Sequence, residues 1–247
     1  MMKVSAKDRL IVALDVETAA RAREVVAALK DYAGMFKIGS QLFTAAGPEF
    51  VREMIKAGAP VFLDLKFHDI PNTVARAGVE AARLGVSIFD VHAAGGSEMM
   101  RRTVTEVREA AAREDFPRPS IIAITVLTSA DKQALSEVGV SSNVEEQVGR
   151  LARLAADSGM DGVVASPHEV SLVRSAAEAR KDFLVVTPGV RPAGTAHGDQ
   201  KRVMTPGEAI RAGSSYLVVG RAILDAPDMT RAAEQIIREI ELACISQ

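Results

Sequence analysis

Short runs of apolar, often β-branched residues recur along the chain at Leu10–Leu14, Met35–Ile38, Val61–Leu65, Val86–Val91, Ile121–Val126, Gly162–Ala165, Phe183–Val186 and Tyr216–Val219. Each has the length and composition of a buried strand. Between them lie segments with helical periodicity, rich in Ala, Glu and Arg, among them Thr18–Tyr32, Val74–Leu84, Ser97–Arg113, Val144–Asp157 and Glu169–Arg180. Strand and helix therefore alternate. Near-continuous apolar strands joined through helices are what a parallel sheet with a covered outer face requires.

Length then separates the architectures compatible with that alternation. The chain has 247 residues and 48% hydrophobic content, enough for two small domains or for one large barrel. Eight strand–helix repeats with no Pro/Gly/Ser-rich linker dividing them favour a single α/β domain spanning residues 1–247, a (β/α)8 TIM-type barrel. An open, doubly wound sheet is the competing architecture.

Charge and cysteine content narrow the function classes. Thirty Lys and Arg against 32 Asp and Glu give a formal charge of −2, without the broad basic footprint of a nucleic-acid binder. A small anionic ligand needs only a few placed cations and stays open. The one cysteine, Cys244, permits no intrachain disulfide and suits a reducing, cytoplasmic setting. Met1 to Asp8 lack the apolar stretch of a secretory signal. The most apolar segment, Pro119–Ala130, is about a dozen residues and too short to span a bilayer. The expectation is a soluble protein with no membrane or nucleic-acid partner.

A barrel of this kind carries its chemistry on the loops after the strands, so the strand ends decide what the chain can do. Asp15 follows the first strand, and Lys37, Gly39 and Ser40 close the second. A lone Asp15 also fits an ordinary cap or turn. The third strand runs into Asp64-Leu65-Lys66-Phe67-His68-Asp69, where carboxylates flank Lys66 on both sides. Period-2 alternation puts Asp64 and Lys66 on one face of the strand. If that face is the barrel interior, both reach the mouth, with Asp69 just beyond and Lys37 adding a second cation from the next strand. Flanking carboxylates favour the charged ammonium, which suits a proton donor and disfavours a Schiff-base nucleophile. A purely structural ion-pair cluster is the bland reading of the same residues.

Two further loops suit a phosphate. The last strand ends in Val219-Gly220-Arg221, where a small residue lets backbone amides approach an anion and the guanidinium can bind its oxygens; an ordinary strand-to-helix turn reads the same way. After the seventh strand a long Pro/Gly-rich connection, Thr187 to Arg202, offers Arg191, Gln200 and Arg202 and has the length of a lid, or of a loop that is only flexible. Strand five ends in Val126-Leu127-Thr128-Ser129, whose hydroxyls suit a polar ring or a local turn. Gly95-Gly96 completes no dinucleotide fingerprint, and no Walker loop is present. The histidines at 68, 92, 168 and 197 form no zinc pattern, and His92 reads as a hydrogen-bonded residue of the mouth with no catalytic role.

The stretch Asp64-Leu65-Lys66-Phe67-His68-Asp69-Ile70-Pro71-Asn72-Thr73 resembles the signature of the orotidine 5′-monophosphate decarboxylases. Leu14-Asp15, Phe36-Lys37-Ile38-Gly39, Val126-Leu127-Thr128-Ser129, Thr187-Pro188-Gly189-Val190-Arg191 and Val219-Gly220-Arg221 extend the resemblance from first strand to last. It implies a barrel working as a homodimer with active sites shared across the interface, and a carboxy-lyase of pyrimidine biosynthesis that converts orotidine 5′-monophosphate (OMP) to UMP and carbon dioxide with no metal or organic cofactor. By the same resemblance Lys66 protonates C6 of the pyrimidine with Asp64 beside it. Asp69, with Ile70 and Thr73, reaches the neighbouring subunit's site. Lys37 and Asp15 hold the ribose and orient the charged chain. Thr128 and Ser129 contact the pyrimidine, and Arg191, Gln200, Gly220 and Arg221 surround the 5′-phosphate. The alternatives are a metal-dependent sugar-phosphate lyase of the same barrel group, such as a hexulose phosphate synthase, and a non-catalytic nucleotide sensor.

Overall fold

A computed structural model of the chain describes residues 5–192 and 204–245. Eight parallel strands close into a barrel in sequence order: β1 (Leu10–Ala13), β2 (Met35–Gly39), β3 (Val61–Phe67), β4 (Ile88–His92), β5 (Ser120–Ile124), β6 (Gly162–Val164), β7 (Leu184–Pro188) and β8 (Tyr216–Val219), with β8 returning to β1. The closed barrel, rather than the open sheet, is the architecture formed. The α-helices of the described residues are α1 (Ala19–Leu29), α2 (Ser40–Lys56), α3 (Pro71–Arg83), α4 (Gly96–Glu114), α5 (Lys132–Glu137), α6 (Val144–Asp157), α7 (Val170–Ala176), α8 (Pro206–Ala212), α9 (Arg221–Leu224) and α10 (Met229–Ile245). None of them is long and apolar enough to cross a membrane.

Local chemistry explains the elements. Helix α6 starts at Asn143, whose side chain accepts from the Glu146 amide at 2.8 Å while Glu146 returns the bond, a capping box. Its buried residues Val144, Val148, Leu151, Ala152 and Ala155 recur at the helical period and pack on the sheet. Each fully buried aliphatic side chain contributes roughly 1.5–3 kcal/mol of transfer free energy. Helix α7 is shorter than the periodicity of Glu169–Arg180 predicts, because Pro167–Glu169 forms a separate 3-10 turn and the helix ends at Ala176.

The strands alternate between two apolar groups. Leu10, Val12, Phe36, Ile38, Val61, Leu63, Phe89 and Val91 face outward into the main core with the helices. Ile11, Ala13, Met35, Phe62, Ile88, Ile122, Val186 and Val218 point inward and fill the barrel. Two residues further along each of β2, β3 and β4, period-2 geometry brings Lys37, Asp64 and Asp90 to the inner face. The barrel interior is thus apolar at one level and charged at the next, toward the end where the strands stop.

Between β3 and β4 the pairing breaks. Leu63 lies opposite Phe89 and Phe67 opposite Val91, so Asp64, Leu65 and Lys66 stand against Asp90 alone. A bulge bends its strand and re-aims a side chain. Here it coincides with Lys66, whose φ of 53° lies in the left-handed region; that conformation costs about 1–2 kcal/mol for a residue with a Cβ.

Candidate active site

At the strand-end mouth lies a cavity of about 260 Å³, sized for one small ligand. Its floor is apolar, made by Ala13, Phe62, Ile124, Val164, Pro188 and Val218. The charged wall is carried by β1 to β3 through Asp15, Lys37, Asp64 and Lys66, and the rest of the rim holds Thr128, Arg191 and, next to Asp15, Gly220 and Arg221. One half of the pocket therefore offers alternating charge, and the other offers apolar surface bounded by guanidinium groups.

The charged wall is a continuous chain. Lys37 Nζ lies 3.2 Å from Asp15 Oδ1 and 3.0 Å from Asp64 Oδ2, and the other Asp64 oxygen accepts from Lys66 Nζ. Burial of Lys37 works against its charge, but Asp64 and Asp15 outweigh it and raise its pKa above that of an ordinary lysine. Burial also pushes Asp64 toward neutrality; Lys37, then hydrogen bonding from Asp90 and the charge of Lys66, overcome this and bring its pKa down to about 2. The network therefore favours the ionised form of Asp64. Gly39 keeps the chain intact sterically, since a Cβ there would stand 3.3 Å from Lys37 Nζ.

Behind this chain sits Asp90, completely inaccessible to solvent. Its Oδ1 accepts the Lys66 backbone N–H at 2.7 Å, while Oδ2 is buried without a hydrogen-bond partner at normal geometry. Burial first, and the adjacent Asp64 carboxylate second, hold its pKa well above the usual range. One carboxyl of the pair thus stays charged and the other favours its proton. Asp90 was not among the residues singled out from the sequence. The signal was present, because an Asp two places after an inward Ile88 on an apolar strand falls on the inner face.

The two carboxyls make opposite contributions to stability with pH. Asp64, with its folded pKa lowered, stabilises above the unfolded value of 3.8, and this is lost as pH falls through about 2. Asp90, with its folded pKa raised, must keep a proton that the unfolded chain releases above 3.8, so it costs stability as pH rises from there. Asp90→Asn is therefore expected to melt higher than the wild type at pH 7, with the advantage gone by pH 3. Thermal melts of both proteins at the two pH values check this, and an advantage that persists at pH 3 would contradict it.

Within one chain the structure does not bring Asp69, Ile70 or Thr73 to the cavity. The Asp69 carboxylate instead accepts from the Ile70 amide at 2.6 Å, Ile70 is 65% exposed, and Thr73 is exposed on the first turn of α3. The carboxylate that flanks Lys66 together with Asp64 in sequence is thus absent from the chain's own network, where Asp15 and Lys37 complete the run. The physical reason is that β3 ends at Phe67 and the following turn rotates outward before Pro71 opens α3. Ser129 is exposed beyond Thr128, and Gln200 and Arg202 lie outside the described residues. His92 packs near His68, ring centroids 5.4 Å apart, and burial, then His68 and Lys66, lower its pKa. It is held as a neutral imidazole off the cavity wall.

Comparisons with known proteins identify the family and agree with the fold. The family model described as "Orotidine 5'-phosphate decarboxylase / HUMPS family" matches residues 8–236. The chain is 55% identical over 243 residues to the orotidine 5'-phosphate decarboxylase of Moorella thermoacetica, covering 98% of this chain and 96% of that one. It is also 55% identical to that of Geobacter sulfurreducens, covering 97% and 99%. The crystal structure of orotidine 5'-phosphate decarboxylase from Lactobacillus acidophilus superposes with a TM-score of 0.82 at 37% identity, covering 94% and 98%. The charged chain on β1 to β3 thus sits in a barrel whose whole length is shared with these proteins, and the protein belongs to the orotidine 5'-phosphate decarboxylase / HUMPS family.

Proposed function

We propose that this chain is a cofactor-independent carboxy-lyase that converts OMP to UMP and carbon dioxide in pyrimidine biosynthesis. The observation that carries the reading is the tethered run Asp15, Lys37, Asp64, Lys66 along one wall of a cavity whose floor is apolar. The apolar half, with Thr128 at its edge, accepts the pyrimidine. Arg191, Arg221 and the backbone at Gly220 take the 5′-phosphate, with Gln200 as a further partner. Gly220 leaves room for that approach, since a Cβ there would press on Asp15 Oδ2 at 3.3 Å. Asp15 and Lys37 then meet the ribose, and C6 faces Lys66.

Loss of carbon dioxide breaks the C6–carboxyl bond and leaves its electron pair on C6, in the plane of the ring, where the π system cannot delocalise it. The Lys66 ammonium stabilises that developing charge and delivers the proton that completes the C6–H bond of UMP, leaving a neutral amine that solvent reprotonates. Asp64 holds the ammonium in place. Phosphate contacts remote from C6 contribute binding energy that is expressed at the reacting carbon. In the same proposal the protein is a cytoplasmic homodimer, in which Asp69, Ile70 and Thr73 complete the partner's site.

A metal-dependent sugar-phosphate lyase is the competing reading. Against it, the space between the Asp15 and Asp64 carboxylates is filled by a covalently tethered cation, the Lys37 ammonium. Purified protein is expected to consume OMP and release UMP with no addition, at a rate unchanged by a chelating agent, as followed by the loss of orotate absorbance. Turnover that EDTA abolishes, or none at all, would transfer the protein to another reading.

A further inference from the structure

Lys66 occupies a position that an ordinary strand would not give it. The β3–β4 ladder is interrupted where Asp64, Leu65 and Lys66 stand against the single residue Asp90, so the Lys66 N–H has no β4 backbone carbonyl to meet. It meets the Asp90 side chain instead, Oδ1 at 2.7 Å. The residue is fixed on both sides, by that bond to the backbone and by Asp64 at the ammonium, while its φ of 53° is one that side-chain-bearing residues seldom adopt. An unsupported left-handed residue would relax into the extended conformation of its strand, which would swing the side chain away from its present direction.

We infer that Asp90 is a positioning residue for Lys66: its buried oxygen replaces the missing ladder carbonyl and holds the backbone turn that carries the ammonium to the cavity, acting as a hydrogen-bond acceptor and not as a charge. The inference rests on Lys66 being the acid of the proposed reaction. Asp90 itself does not line the cavity. Two observations separate acceptor from charge. Oδ2 has no hydrogen-bond partner at normal geometry although it is fully buried, and burial together with the neighbouring Asp64 favours the neutral form of the acid. An asparagine at 90 keeps the accepting oxygen on a neutral side chain of nearly the same shape. A valine keeps the volume and loses the acceptor.

Three readouts on the full-length protein test this: steady-state kcat and KM with OMP, UMP affinity by calorimetry, and hydrogen exchange of the Lys66 amide by NMR. Asp90→Val is expected to lower kcat by about 10²-fold, the scale of a misplaced catalytic group, with KM and UMP affinity shifted less than about threefold. The Lys66 amide should lose its protection. Asp90→Asn is expected to restore kcat to within about threefold of the wild type and to keep the amide protected. An asparagine variant as impaired as the valine one would overturn the acceptor role, and so would a valine variant with wild-type kcat or an equally protected Lys66 amide. If the valine variant does not fold, the asparagine kinetics and exchange still decide. Wild-type protein inactive toward OMP would count against the proposed reaction, while the exchange comparison would continue to judge the Asp90 contact.

Discussion

Lys66→Ala is expected to lower kcat for OMP by at least about 10⁴-fold, since a general acid contributes 10²–10⁴ and a charge placed against a developing anion a further 10²–10³. The two effects reside in one ammonium, so no neighbouring group replaces either. Lys37 is the nearest other cation, but it is held between Asp15 and Asp64 at 3.2 and 3.0 Å and cannot swing without leaving the buried Asp64 carboxylate unpaired. The fold should survive. Alanine tolerates the left-handed backbone no worse than lysine, the Asp90 bond to the main chain at 66 remains available, and Asp64 keeps Lys37. UMP should therefore still bind, because the phosphate and pyrimidine contacts proposed for it, at Arg191, Arg221 and Thr128, do not involve Lys66. Single-turnover kinetics and calorimetry on the same preparation separate the effects. A variant that decarboxylates within tenfold of the wild type would remove Lys66 from the reaction.

Much of the barrel was legible because each strand is buried on both faces and so reads as an unbroken apolar run, whereas exposed strands would have blurred into loops. Strand ends followed directly, and with them Asp15, Lys37, Asp64, Lys66, Gly220 and Arg221, which the fold gathers around one cavity. Other features were hidden for physical reasons. Helix α2 was not singled out, because Gly47 with φ 70° and Pro48 kink it and break its periodicity. Helices α5 and α9 are too short, at 6 and 4 residues, to display a helical period. The bulge opposite Asp90 depends on pairing between two strands, which neither strand encodes by itself. Strict alternation correctly put Asp64 and Lys66 on one side, yet the left-handed turn that delivers Lys66 is a departure from alternation. The acidic residue behind the site was visible only as an interruption in Ile88-Phe89-Asp90-Val91, and an isolated buried acid has many structural explanations.

Asp69 poses a different kind of problem, since its placement in one chain, capping Ile70 and facing out, is what a residue serving another subunit would show. That proposal has a quantitative consequence. Asp69→Ala and Lys66→Ala should each be inactive as homodimers, the first by at least about 10²-fold through loss of a charge at the reacting centre. Co-expressing the two chains in equal amounts yields hybrids as about half of all dimers. In each hybrid one site combines both lesions. The other combines the intact Lys66 of one chain with the intact Asp69 of its partner, and is wild type. About a quarter of wild-type activity should therefore return, following from the two-fold exchange of residues that a symmetric interface imposes. A self-contained site predicts no recovery at all, because every chain would carry its own defect. Activity of the isolated hybrid near half that of the wild type, after separation by charge tags, would locate the shared acid at 69; a mixture as inactive as its parents, or an active Asp69→Ala homodimer, would confine the chemistry to the charged chain of a single barrel.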